Sequence, residues 1–397
     1  MTVFPEIYVI MTPSLHSGDA VGNDILSQRD ALLRYKPDAT VEVYAENCDA
    51  CLSGVSISDS KLLELIVNPN CVVIYHFSVY WARLELYLDL AAKVYIRYHS
   101  LTPPKFFSGI DPGSEHATSL GISQLSGMTA KYQNLMYIAT SEYTAQELRD
   151  LSVPVSSIDI VAPLLDPEVV SLKRGALSEG SREKKEADTL RVLFVGRVVP
   201  NKRHDLLIDV CDKYVENFGI GSIEVSVVGS LSPSFAKYYS LLESKLANSR
   251  IGSSFSFKGK ISRSELVAEY KSADVFLCLS EHEGFCVPLV EAQSFGVPVV
   301  AWKRAAIADT LGVDQLVFLE SAPDNYAYAL RRLFLSRELR LAIAKNGFRN
   351  LKRFEPEVLE RKFCSVLSTE SLKHDQWKYL VEEKKLPGSE SQALEGL

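Results

Sequence analysis

The chain has little of what a metal centre or disulfide framework needs. Its seven cysteines, scattered over 397 residues, are an odd set and fit reduced thiols in a cytoplasmic protein. Cys48 and Cys51 form the sole Cys-x-x-Cys pair, and no second pair or neighbouring His completes a tetrahedral zinc site. The acidic neighbours Glu46 and Asp49 oppose the lowered thiol pKa of a redox pair, so chance spacing is the simpler reading. A basic surface is also missing. The 43 Lys and Arg against 50 Asp and Glu give a formal charge of −7, which excludes a general nucleic-acid binder but leaves room for a local basic pocket. No run reaches membrane-spanning length, since the longest, Cys71 to Ile96, is broken by Arg83, Glu85, Asp89 and Lys93. Met1 to Pro5 lacks the charged start of a signal peptide. No Asp-x-Asp sits in a strand-end loop, and no Gly-x-Gly-x-x-Gly is found.

What is present is an ordinary folded composition, 47% hydrophobic and 23% charged, on a chain long enough for two domains. Strands are predicted at Glu6–Met11, Val41–Tyr44, Cys71–Tyr75, Val94–Ile96 and Leu135–Ala139, with a helix at Val21–Tyr35. A second set comprises Leu190–Val195, Ile223–Val228, Ser254–Phe257, Ala273–Leu279 and Val297–Trp302, with a helix at Phe235–Ala247 and a capping box at Ser262–Glu265. This βαβ rhythm predicts α/β architecture, with two doubly wound parallel sheets. The boundaries expected are an amino-terminal domain over 1–176, a polar linker or surface loop over 177–188, and a carboxy-terminal domain over 189–397.

Two carboxylates eight positions apart, Glu283 and Glu291, bracket a turn and a helix start in Glu283-Gly284-Phe285-Cys286-Val287-Pro288-Leu289-Val290-Glu291. Pro288 suits a helix start and Gly296 its end. Glu283 therefore falls at the carboxyl end of a strand, where open α/β sheets bind ligands. Ionised carboxylates there suit vicinal hydroxyls. A second constellation, Gly196-Arg197-Val198-Val199-Pro200-Asn201-Lys202-Arg203, puts two cations in a strand-to-helix loop, a natural diphosphate cradle.

These segments resemble the donor site of retaining glycosyltransferases of family 4, which have the GT-B fold: two Rossmann-like domains, a cleft between them, and a carboxy-terminal helix crossing back, expected here within about 355–386. The resemblance implies that Glu283 contacts the donor sugar and Glu291 the ribose. Backbone at Phe285, Cys286 and Val287 would face sugar and diphosphate, Gly196 would allow close approach, and Lys260 would lie in the segment facing the base. Arg197 and Lys202 would neutralise the departing diphosphate without a metal or other cofactor, so that Lys202→Ala is expected to depress turnover far more than folding. Cys286 and Arg203 stand where the family usually has Gly. The Pro-Glu often found after the last strand is absent from Ala305–Thr310.

In the first domain, Tyr98-His99-Ser100-Leu101-Thr102-Pro103-Pro104 resembles a segment of bacterial members that build surface polysaccharides, which puts His99 beside the donor sugar. His76 is a weaker second candidate. The loop Gly18-Asp19-Ala20-Val21-Gly22 matches in place the loop facing acceptor and diphosphate; Asp19 and Asp24 are read either as acceptor-hydroxyl ligands or as N-caps. Ser141 is read as a cleft residue or a cap. The expectation is transfer of a hexose, with mannose or a deoxyhexose first, from a GDP- or UDP-linked sugar to a growing lipopolysaccharide O-antigen, capsule or glycolipid. The partners expected are the nucleotide sugar and a glycan or lipid-linked acceptor. A GT-B epimerase and a non-catalytic partner subunit are the alternatives. The tail around Trp377 and Tyr379 leaves open back-packing or contact with the inner membrane face or an assembly complex.

Overall fold

The computed structural model describes residues 6–165, 188–219 and 222–368. Among the described residues twelve strands form two sheets, parallel at every pairing. The first contains β1 (Ile7–Leu15), β2 (Thr40–Cys48), β3 (Cys71–Phe77), β4 (Lys93–Tyr98), β5 (Met136–Ala139) and β6 (Ile158–Ile160), in the order β2-β1-β3-β4-β5-β6. The second contains β7 (Leu190–Val195), β8 (Ile223–Val228), β9 (Phe255–Gly259), β10 (Val275–Cys278), β11 (Val299–Trp302) and β12 (Leu316–Phe318), in the order β12-β11-β10-β7-β8-β9. Both are doubly wound, the first in the flavodoxin-like order and the second in the Rossmann order. This is the predicted GT-B architecture.

The central strands are buried on both faces, as all seven residues of β3 and all four of β10 and β11 show, so they read as continuous apolar runs. The two strands absent from the sequence reading, β6 and β12, are three-residue sheet edges with every residue half-buried. Neither carries the length or hydrophobic contrast that marks a strand.

The order of each sheet reverses beside its first strand, between β1 and β3 and between β7 and β10. At such switch points the connections run to opposite faces and leave a crevice at the strand ends. All predicted site residues except Lys260 and Glu291 follow β1, β4, β7 or β10 directly. The helix Pro356–Leu367 returns to the first sheet. Its Leu359, Phe363 and Leu367 share a core with Tyr8, Ile10 and Leu32, Glu360 pairs with Arg34, and the Tyr95 hydroxyl donates to the Val366 carbonyl at 3.1 Å. Among the described residues no helix is long and apolar enough to cross a membrane. The linker expected over 177–188 lies outside the described residues apart from Asp188, as does all of the tail segment around Trp377.

Candidate active site

Lys202 and Glu283 arrive from the two strands flanking the second switch point and form an ion pair, their side chains 16% and 10% exposed. Burial pushes the Glu283 carboxyl up, but the Lys202 ammonium outweighs it and holds the acid below its ordinary value. Burial lowers the Lys202 pKa, and Glu283 more than restores it. Each charge therefore depends on the other. This corrects the expectation for Lys202→Ala, since removing one partner strands a buried charge at a cost of about 3–5 kcal/mol. Folding would suffer together with turnover. The loops are tied by Asn201, which sequence reasoning passed over: its side-chain amide donates to the His282 carbonyl at 3.2 Å, and its carbonyl accepts from the Glu281 amide at 2.8 Å. An Asn in a charged loop carries no signal of such a role.

Arg197, in contrast, is exposed and forms no hydrogen bond or ion pair among the described residues. Arg203 has a different task. Its guanidinium grips Asp205 and Glu281 and lies 5.8 Å from the Trp302 ring centre, which fastens the loop.

The helix Val287–Ser294 begins at Cys286. Among the described residues, the N–H groups of Phe285, Cys286 and Val287 find no acceptor, and Leu289 donates back to the Cys286 carbonyl at 3.1 Å. Three open amides at a helix amino terminus form an anion site. Cys286 (φ 76°) and Arg203 (φ 58°) both have left-handed backbone, which explains why glycine is the usual residue at these two positions. The Phe285 side chain is core, meeting Phe354 edge-on at 5.4 Å, while its carbonyl accepts from the Thr310 hydroxyl at 2.5 Å. Glu291 accepts a 2.7 Å hydrogen bond from Tyr270, whose ring stacks on Phe295 at 5.1 Å. Nothing in the sequence links Tyr270 to Glu291, because their contact spans two connections of the sheet.

The turn at Gly284 presses on the first domain. Its carbonyl accepts from the Ser141 hydroxyl at 2.7 Å and from Thr140 at 3.3 Å. Ser141 thus does both things proposed for it, because it also closes a capping box with Thr144. His282 lies 3.3 Å from the Ser100 hydroxyl.

His99 follows β4 as predicted and belongs to a buried network that sequence did not reveal. Its Nε2 lies 2.9 Å from His76 Nδ1, and His76 Nε2 lies 3.1 Å from Gln28 Oε1. Asp24, read above as an acceptor ligand or cap, is neither. It is fully buried, takes Arg97 Nε at 2.9 Å and the Leu164 amide at 2.7 Å, and stands 3.8 Å from His99 Nε2. Burial drives the His99 pKa down to about 4 and His76 well below its ordinary value. His76 therefore stands behind His99 rather than beside a ligand. Asp24, His76 and His99 have ligand atoms close enough for a metal, but the Arg97 guanidinium already satisfies the carboxylate and repels a cation.

The glycine loop meets the second domain through Lys260, whose ammonium donates to the Ser17 carbonyl at 2.9 Å. Gly18 has φ 74°, and a side chain on Gly22 would strike the His16 carbonyl oxygen at 2.5 Å. Asp19 occupies the cap position but its side chain makes no capping hydrogen bond. Of the predicted set, Lys202 with Glu283, and Lys260 with the loop around Gly18, are in direct contact. Glu291 is oriented from behind by Tyr270.

Residues 179–350 match the family of glycosyl transferases group 1. The chain is 30% identical over 212 residues to the D-inositol 3-phosphate glycosyltransferase of Geodermatophilus obscurus, covering 51% of this chain and 46% of that one. It is 32% identical over 171 residues to the enzyme of the same name from Mycolicibacterium smegmatis, covering 41% and 36%. The chain thus spans about half or less of the length of these curated relatives. Among solved structures, HepE of Anabaena in complex with UDP and glucose superposes with a TM-score of 0.69 at 15% identity, over 91% of this chain and 99% of that one. WaaG, a glycosyltransferase involved in lipopolysaccharide biosynthesis, gives 0.64 at 14%, over 91% and 100%. At these identities the superpositions establish the fold.

Proposed function

We propose that this chain, whose residues 179–350 carry a glycosyl transferases group 1 domain, is a retaining glycosyltransferase. It moves a hexose from a nucleoside-diphosphate sugar to a hydroxyl of a glycan or glycolipid. One observation carries the reading: the buried Lys202–Glu283 pair, the open amides of Phe285–Val287 and the neighbouring exposed Arg197 lie at one switch point. A diphosphate supplies the acceptors those donors lack. On binding it competes with Glu283 for the Lys202 ammonium, which frees the carboxylate for the sugar's hydroxyls. Glu291, oriented by Tyr270, accepts from the ribose, and His99 contacts the sugar.

In the reaction, the acceptor oxygen bonds to the anomeric carbon on the face from which the phosphate oxygen leaves, and that phosphate takes the acceptor's proton. Arg197, Lys202 and the amides stabilise charge as it develops on the phosphate, each donor contributing about 2–4 kcal/mol by analogy with oxyanion sites. No resident metal is required in this scheme. The UDP-bound neighbours favour UDP over GDP as the first donor to test. The names of the curated relatives favour a second acceptor, an inositol phosphate, beside the surface polysaccharide or glycolipid.

Product analysis with UDP- and GDP-hexoses tests the assignment. Nucleoside diphosphate released in step with a glycosylated acceptor supports transfer. Interconversion of the sugar without an acceptor would establish an epimerase, and failure to bind any nucleoside diphosphate would favour a non-catalytic subunit.

A further inference from the structure

Cys278 ends β10 and Cys286 begins the helix with the open amides. The two sulfurs and a Glu283 carboxylate oxygen all lie within 4.8 Å of one another, and both cysteines are buried, at 3% and 8% exposure. Neither thiol has a role in the transfer described above. The group is poorly suited to a metal ion, because the Lys202 ammonium already balances Glu283 inside it. It is well suited to thiol chemistry. We propose that Cys278 and Cys286 are a peroxide-sensitive pair whose disulfide switches off donor binding.

The steps balance. The thiolate of one of the two cysteines attacks hydrogen peroxide, the O–O bond breaks, and the departing hydroxide takes a proton as water. The sulfur of the other cysteine then attacks the resulting sulfenic acid, the S–O bond breaks and a second water leaves. Two thiols and one peroxide thus become one disulfide and two waters. The Lys202 ammonium beside the pair favours the thiolate form of either sulfur against the effect of burial. Closing the bond draws sulfurs now up to 4.8 Å apart to about 2.05 Å. Cys286 holds the turn through its left-handed backbone, so the pull falls on the three open amides and on Glu283.

The effect on binding rests on the donor-site reading above, whereas the disulfide does not. The test treats the full chain with hydrogen peroxide, maps disulfide-linked peptides by mass spectrometry, and measures UDP and GDP binding by calorimetry before and after thiol reductant. The expected result is a Cys278–Cys286 link, a mass lower by two hydrogen atoms, and at least tenfold weaker nucleotide binding that reductant restores. Cys278→Ser should bind as the reduced protein does and keep that affinity in peroxide. A Cys48–Cys51 link with Cys278 and Cys286 left free overturns the proposal, as does a Cys278–Cys286 link without change in affinity. A reduced protein that binds neither nucleotide overturns the donor-site reading and the switch with it, while the mass still decides the disulfide.

Discussion

A side chain on Gly284 would place its first carbon 2.1 Å from the carbonyl oxygen of His99. Gly284 belongs to the turn of the second domain that carries Glu283, and His99 to the strand end of the first. Backbone oxygen cannot yield as a flexible side chain can, so the apposition of the domains depends on a hydrogen atom at this position.

Gly284→Ala is therefore expected to cost about 1–3 kcal/mol, the usual range for forced overpacking, and to weaken donor binding. Gly127→Ala, where nothing lies within 4 Å in a helix, should be neutral or stabilise by up to about 1 kcal/mol. Urea unfolding of the two variants measures both. Equal stability of Gly284→Ala and wild type would show that the contact is not formed in solution.

His99 gives a pH dependence of definite sign. Its pKa falls from 6.5 to about 4 on folding, so between those values the unfolded chain binds a proton that the folded one refuses. Stability contributed by neutral His99 is present above 6.5 and is lost as pH falls through the window, at about 1.4 kcal/mol per pH unit where fully developed. Asp24 opposes this shift and Arg97 reinforces it. NMR titration should find the imidazole neutral down to about pH 4. Titration near 6.5 would contradict the burial of the network.

Much of this was legible in sequence, and the rest was hidden for identifiable reasons. Strands such as Leu190–Val195 and Ala273–Leu279 announce themselves as short apolar runs between breakers, and their ends locate Lys202 and Glu283. The left-handed backbone at Cys286 and Arg203 could have been suspected from the two positions where glycine is usual. Partnerships that close between separate elements, such as Tyr270 with Glu291 and His76 with His99, leave no periodicity. Asp24 misled because its place near a helix start suggests a cap or ligand, whereas Arg97, two strands away in the sheet order, claims it.

The central claim is that a nucleoside diphosphate binds at the second switch point, and Arg197 tests it most directly. Its side chain is exposed and makes no bond among the described residues, so Arg197→Ala should leave unfolding free energy within about 0.5 kcal/mol of wild type. Calorimetry with UDP and GDP should show a loss of about 1.5–3 kcal/mol for whichever nucleotide binds, the range for a hydrogen bond to a charged group. Unchanged affinity in Arg197→Ala, with the fold intact, would contradict the account.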